Sequence, residues 1–145
     1  MTEPGLLILA AAQQLVGVRF RLHGRDPRSG LDCLGVVKCA LDSVLGDVNV
    51  PQNYTLRQRA WEPMLTYAAA SSLRDCCEAE RESPRAGDVL LFEVGPAQCH
   101  LAISDGRGSL VHAHAGLSRV VFGKPDPDWR LLHHWRLRPD FFNNR

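Results

Sequence analysis

A change of pattern near Ser83-Pro84 constrains the fold of this 145-residue chain more than any other sequence feature. Before it, apolar residues recur at three- and four-residue spacings, as amphipathic helices require. After it, short apolar runs are punctuated by Gly and Pro, and several alternate with period two, which is typical of strands. The runs are DVLLFEV, HLAIS, SLVHAH, RVVF and LLHHWRL. Helices followed by strands predict an α+β fold with an antiparallel sheet of about five strands.

Three helices are predicted in the first half of the chain. The first covers residues 4–16, which are rich in Ala, Leu and Gln, and Gly17 can end it. The second follows Asp32, whose side chain is a good N-cap. The third covers residues 56–72 and is interrupted at Pro63. Cys33 therefore lies in the first turn of the second helix.

Residues 19–30 contain Gly, Pro and many charged residues, so they are predicted to form an exposed loop. This loop carries a local basic patch: Arg19, Arg21, Arg25 and Arg28. Such a patch is more often solvated than bound to nucleic acid, and beside an active site its guanidinium groups can hold substrate carboxylates.

Length and charge restrict the classes of protein to which this chain can belong. A chain of this length with 45% hydrophobic residues suits one domain, residues 1–145. The net charge of +1 indicates no electrostatic affinity for nucleic acid or anionic lipid. No apolar run approaches the roughly 20 residues that cross a bilayer. Because Glu3 and no Lys or Arg precede the apolar residues 6–12, we expect no signal peptide and synthesis in the cytoplasm.

The five cysteines predict neither a disulfide framework nor a zinc site. Their number is odd, and the neighbours Cys76 and Cys77 rarely bond to each other. The sequence has no C-x-x-C pair, which structural zinc sites commonly use. We therefore expect free thiols, no metal and no cofactor.

Cys33, in the sequence GLDCLG, is the strongest candidate for a nucleophile. A helix N-terminus stabilises a thiolate, so we expect the pKa of Cys33 to lie below the usual value of about 8.5. Unpaired N–H groups at the same helix end can form an oxyanion hole, and Gly35 allows the backbone to approach a ligand closely. The alternative is a small core residue, which remains our interpretation of the other four cysteines.

Two histidines lie at the limits of neighbouring predicted strands. His100 lies six positions before Gly106 and His112 lies six positions after it, so the two are predicted cross-strand neighbours. One ring can take the thiol proton while the other fixes its tautomer. His114 shares a strand face with His112, an arrangement that can bind a metal. Without a third ligand nearby, we interpret His114 as incidental.

Four motifs together resemble the NlpC family of papain-like cysteine peptidases, which cut bacterial cell-wall peptides. GLDCLG resembles the family's Asp-Cys-x-Gly nucleophile motif, and GDVLLF resembles its Gly-Asp strand. CHLAIS resembles the strand that carries the base, and SLVHA resembles the Ile-His-Ala motif of the third residue. The resemblance covers roughly residues 15–115. It implies that Cys33 is the nucleophile, His100 the base and His112 the residue that orients the base.

The resemblance also implies a substrate and a fold. The substrate would be a peptide amide bond of peptidoglycan, and N-terminal helices would pack on a C-terminal sheet. Substrate-binding roles follow for Phe20, His23 and Asp32, although Phe20 lacks the hydroxyl of the tyrosine that the family often has there. Asp-Cys-Leu-Gly and the absent export signal look most like the phage-tail or gene-transfer-agent branch. That branch implies partners in such particles and delivery to the cell wall by a virion.

Other functions use the same residues. A thiolate, an imidazole and an oxyanion hole serve any acyl transfer through a thioester, so an amidase or acyltransferase is an alternative. A non-catalytic assembly module of a phage tail is another. The intact set of Cys33, His100 and His112 favours an enzyme.

Overall fold

Two helices pack on one antiparallel sheet in the computed structural model, which describes residues 3–46, 73–75, 83–96 and 98–137. The helices are α1 (Pro4–Gln13) and α2 (Cys33–Leu45). The strands are β1 (Arg25–Asp26), β2 (Gly30–Leu31), β3 (Leu73–Asp75), β4 (Ala86–Gly95), β5 (Gln98–Asp105), β6 (Leu110–His114), β7 (Arg119–Gly123) and β8 (Arg130–Leu137). The main sheet has the order β3-β8-β4-β5-β6-β7, and β1 pairs with β2 in a separate hairpin.

The predicted α+β architecture is confirmed. The five predicted strands correspond to β4 through β8, and every pairing in the main sheet is antiparallel. The short strand β3 was not predicted and adds a sixth strand beside β8. The third predicted helix, residues 56–72, lies outside the described residues.

Two predicted boundaries differ from the structure. Helix α1 ends at Gln13 and not at residue 16, because the following turn leads the N–H of Gly17 to the Val120 carbonyl of β7, 2.9 Å away. The predicted exposed loop, residues 19–30, contains β1 and the first residue of the hairpin partner β2. These contacts hold the start of the segment that precedes α2 on β7, and they fold its end into a hairpin.

Alternation along the strands divides the apolar residues between two faces of the sheet. One face carries Val89, Leu91, Leu101 and Ile103 and joins the helices in the main core cluster. Helix α2 contributes Leu34, Val36, Val37, Ala40 and Leu41 to that cluster. The other face carries a smaller cluster of Leu90, Phe92, Ala102 and Leu110. Burial of one face against α1 and α2 fixes the start of α2 beside the sheet.

A buried carboxylate, Asp88, joins β4 to β8. It accepts hydrogen bonds from His134 Nε2, from the Arg136 guanidinium and from the backbone N–H of Arg85. Burial raises the pKa of Asp88, but the bonds from His134, Arg136 and Arg85 outweigh that effect and hold it below its usual value. The carboxylate is therefore ionised and fully bonded in the folded protein.

Replacing Asp88 with alanine should destabilise the protein by about 3 kcal/mol at pH 7, because Arg136 and His134 lose a buried charged partner. Urea unfolding measures the change. The pKa of Asp88 is lower in the folded than in the unfolded chain, so its stabilisation is present above pH 4 and is lost as the pH falls through the folded value. The matched control is Asp26→Ala, which removes an exposed ion pair with Arg28 and should leave stability unchanged. Equal stability of the two variants at pH 7 would contradict this role.

Candidate active site

A cavity of about 220 Å³ opens where strands β5 and β6 separate. The two strands pair only at Ile103 with Val111 and at Ser104 with Leu110. Beyond these pairs the start of β5 and the end of β6 form opposite walls of the cavity. Its lining includes Phe20, Cys33, Cys99, His100, His114 and Trp129. The divergence of β5 from β6 thus creates a space that both the candidate nucleophile Cys33 and the candidate base His100 line.

Cys33 is placed by the buried N-cap Asp32. Asp32 Oδ1 accepts the N–H of Gly35 at 2.9 Å, which starts α2 with Cys33 as its first residue. The same carboxylate binds the Arg25 guanidinium at 2.8 Å and the backbone N–H of His23 at 2.8 Å. These bonds join the helix start to the preceding loop and hold the Cys33 sulfur at the cavity.

Gly35 allows a close approach, but the partner is the chain itself. A Cβ at position 35 would lie 2.2 Å from the carbonyl oxygen of Gly24. Such a clash cannot be relieved by a side-chain movement, because the carbonyl belongs to the backbone. The prediction that Gly35 lets a ligand approach is therefore wrong. Its missing side chain lets the loop before α2 pack directly on the first turn of the helix.

Two of the first four N–H groups of α2 already have partners within the protein. Those of Gly35 and Val36 bond to Asp32. The backbone N–H groups of Leu34 and of Leu101, which follows His100 on β5, act on the pKa of Cys33 by lowering it. Within the described part of the chain, the N–H groups of Cys33 and Leu34 are thus the ones left at this helix start to bind an oxyanion.

His100 and His112 contact each other through ring nitrogens. His100 Nε2 lies 2.7 Å from His112 Nδ1, and the ring planes are nearly perpendicular at 80°. When His100 donates at Nε2, its Nδ1 carries a lone pair and can accept a proton. The predicted contact is confirmed. The two residues are, however, diagonal and not directly opposite neighbours. Ile103 pairs with Val111, and one step further along the two strands Ala102 comes opposite His112.

Trp129 covers this histidine pair and was missed in the sequence. Its ring lies 5.2 Å from the His100 ring and 5.5 Å from the His112 ring, edge to face in both cases. Its backbone N–H bonds to the Asp126 carbonyl at 3.0 Å, which fixes the residue just before β8. A single aromatic residue after a turn has the same local sequence pattern as a residue of the hydrophobic core. No local signal in the sequence therefore indicated the position of Trp129.

The match to a family model decides the relationship of this chain to known proteins. The NlpC/P60 family model covers residues 17–131, which include α2, all the residues that line the cavity and most of the sheet. The chain belongs to the NlpC/P60 family. The resemblance predicted from four motifs is therefore confirmed at the level of the family.

Individual NlpC/P60 relatives are distant in sequence and similar in fold. The chain is 25% identical over 118 residues to an Escherichia coli K12 protein named murein DD-endopeptidase MepS/murein LD-carboxypeptidase. The match covers 81% of this chain and 54% of that protein, so the chain spans about half the length of this relative. The solved NlpC/p60 domain of the peptidoglycan hydrolase SagA is 27% identical, with a TM-score of 0.61 and coverage of 91% of this chain and 97% of that domain.

A third relative supports the fold alone. The structure of NlpC1 from Trichomonas vaginalis has a TM-score of 0.67 at 16% identity, covering 94% of this chain and 46% of that one. Two helices on an antiparallel sheet are thus shared across proteins with little common sequence.

The other predicted binding residues of this NlpC/P60 domain lie at different distances from the cavity. Phe20 lines it, as Cys33 and Trp129 do. Asp32 is fully buried and acts as the helix cap, while His23 is exposed, and neither is among the lining residues. Of the basic patch, Arg25 is bonded to Asp32 and Arg28 to Asp26. The substrate-binding roles of Phe20, His23 and Asp32 remain predictions.

Burial sets the protonation of the three candidate catalytic groups. It raises the pKa of Cys33 to about 12, with a further increase from the Asp32 carboxylate that N–H groups of Leu101 and Leu34 only partly oppose. Burial, with His112 and His114 nearby, lowers the pKa of His100 to about 3, and burial with His114 lowers that of His112 to about 4. The predicted decrease in the Cys33 pKa is wrong, because the sulfur loses more hydration than the helix start replaces. At neutral pH the resting pair is a thiol and a neutral imidazole.

The described residues contain no group of three or more His, Cys, Asp or Glu side chains placed to hold a metal ion. In the same residues, no helix is both long and apolar enough to span a membrane.

Proposed function

We propose that this NlpC/P60 protein is a cysteine peptidase that hydrolyses peptide amide bonds in peptidoglycan stem peptides. The observation that carries the proposal is the 2.7 Å contact between His100 and His112, with His100 lining the same cavity as the Cys33 sulfur. A thiol, a base with an oriented tautomer and a nearby backbone N–H are the groups that acyl transfer requires. The names of the Escherichia coli relative and of SagA support the cell-wall substrate.

The proposed reaction proceeds through a thioester. As the Cys33 sulfur attacks the carbonyl carbon, its proton passes to His100 Nδ1 and the Cys33 N–H binds the developing oxyanion. Collapse of the tetrahedral intermediate breaks the C–N bond, and the proton moves from His100 to the departing amine. Water then attacks the thioester, His100 accepts its proton, and the acid product leaves as the Cys33 thiol forms again.

Proton transfer is coupled to attack in this proposal because both partners are neutral at rest. The pKa of Cys33 is raised to about 12 and that of His100 is lowered to about 3, so an ion pair is disfavoured before substrate binds. The bond to His112 stabilises His100 when it becomes protonated, and Trp129 keeps that bond away from water. His112 therefore acts as the orienting residue.

The bond that we place first is the one between D-glutamate and the following diamino acid, as the family resemblance implies. The name of the Escherichia coli relative, a DD-endopeptidase, puts a bond between two D-configured residues second. We propose hydrolysis, with water as the acceptor of the acyl group, in preference to transfer of that group to an amine. Delivery by a phage tail or gene-transfer agent, with proteins of that particle as partners, is part of the proposal and is supported by the Asp-Cys-Leu-Gly motif.

Digestion of defined muropeptides tests the function. Purified protein should release a new amine from a stem peptide, and mass spectrometry of the products identifies the bond that was cut. A cross-linked muropeptide and an uncross-linked tripeptide stem, compared side by side, separate the two candidate bonds. Folded protein that cleaves neither substrate, yet hydrolyses or transfers another acyl group, would shift the function to an amidase or acyltransferase.

A further inference from the structure

His114 lines the cavity and has no part in the proposed reaction. It ends β6, two residues after His112, and its ring lies 5.9 Å from the His112 ring. The side chain is half-buried, at the rim formed by the turn that follows β6. A polar ring in this position is available to a substrate that reaches Cys33.

The turn after β6 fixes the orientation and tautomer of the His114 ring. Its Nδ1 accepts the backbone N–H of Leu117 at 3.1 Å, and an accepting nitrogen carries no proton. In the neutral ring the proton therefore resides on Nε2, which makes that nitrogen a hydrogen-bond donor. Within the described residues no hydrogen-bond partner occupies Nε2.

Gly116 packs against the same ring. A Cβ at position 116 would lie 3.0 Å from His114 Cε1 and 3.3 Å from Nδ1, so the ring rests directly on the glycine backbone. The carbonyl of Ala115 closes the turn by accepting the N–H of Ser118 at 3.1 Å. A ring fixed on two sides loses little freedom on binding a ligand, which favours a role in recognition.

We infer that His114 is a substrate-binding residue whose Nε2–H donates a hydrogen bond to an amide carbonyl oxygen of the stem peptide. The inference rests on the proposed function, since it assigns part of the same site. A carbonyl is favoured over a carboxylate because the described lining residues include no Asp, Glu, Lys or Arg, and a buried carboxylate without a cation is costly. The bond would position the peptide beside Cys33 and contribute to affinity.

Two substitutions separate the roles of the two ring nitrogens. In His114→Asn the amide oxygen can replace Nδ1 and keep the bond to Leu117, but the donor at Nε2 is lost. In His114→Gln the longer side chain can place an N–H near the Nε2 position, but the bond to the turn is lost. A residue needed only for the turn would show the opposite order of effects.

Calorimetric titration of the folded proteins with an uncleaved stem peptide measures the effect, with Cys33→Ala as the background to prevent turnover. His114→Asn should bind about tenfold more weakly, the usual loss for one hydrogen bond, while its thermal stability stays close to the parent. His114→Gln should recover most of the affinity at lower thermal stability. Gly116→Ala should also weaken binding, because its methyl group displaces the ring without removing a polar atom.

Each outcome decides the question. If the wild-type protein cleaves stem peptides and His114→Asn leaves their affinity unchanged, the role of His114 is overturned and the proposed function stands. A parent that neither cleaves nor binds stem peptides overturns both. A loss that appears only with the peptide free acid, and not with its C-terminal amide, overturns the amide carbonyl as the acceptor.

Discussion

Replacing Cys33 with alanine should lower the turnover of stem peptides by about 10⁵-fold or more, because the thiol forms the covalent intermediate and no other group replaces it. The fold should remain, since alanine is the best helix former and the substitution removes only one buried atom at the start of α2. Rates of product formation, together with circular dichroism and thermal unfolding of the same samples, measure the two effects separately.

The two histidine substitutions should each lower turnover, and each by less than Cys33→Ala does. His100→Ala should cost about 10⁴-fold, since the proton of the thiol and that of the leaving amine both pass through this ring. His112→Ala should cost about 10²-fold, because the orienting residue fixes the tautomer of His100 and exchanges no proton with substrate. An equal effect of both histidines on turnover would mean that His112 itself transfers a proton.

Matched controls for the cysteine and for the histidines come from α2 and from β8. Cys39 lies on α2 with Cys33 and does not line the cavity, and His133 lies on β8, stacked on Trp135. Cys39→Ala and His133→Ala should keep turnover within about twofold of the parent, as substitutions away from a site usually do. Full activity of Cys33→Ala would overturn the nucleophile assignment, whatever the histidine variants show.

Local rules were enough to predict the elements that carry the site. Asp32 was identified as the cap of a helix from its side-chain type and the apolar spacing that follows it, and its carboxylate does accept the N–H of Gly35. Period-two alternation was enough to locate β4 through β8. Such features depend on residues that are close in sequence, so they can be predicted from the amino-acid sequence alone.

The remaining features depend on tertiary packing. Equal counting from Gly106 set His100 opposite His112, but the true register brings them together diagonally, where β5 and β6 begin to separate. Nothing in the local sequence shows that Trp129 folds over this pair from the far end of the chain. The helix start predicted a low pKa for Cys33, whereas its exposure of only 1% produces a high one, because desolvation depends on every element packed around the sulfur.

The rate of Cys33 alkylation by iodoacetamide should rise about tenfold for each pH unit between pH 6 and pH 9, close to 10³-fold in all. Only the thiolate reacts, and below a pKa of about 12 its fraction increases tenfold per pH unit. A preformed thiolate–imidazolium pair would react at a constant rate across this range. Digestion and mass spectrometry after timed exposure give the rate at Cys33, with Cys39 and Cys99 as internal references.

Removing the base makes the same experiment decisive about the resting state. The pKa of His100 is lowered to about 3, so its ring carries no charge between pH 6 and pH 9 and supplies no electrostatic support to a thiolate. The His100→Ala protein should therefore show the same slope of log rate against pH as the parent. A plateau in the parent that disappears in His100→Ala would show that the ion pair exists before substrate binds, and proton transfer would then precede attack on the carbonyl carbon.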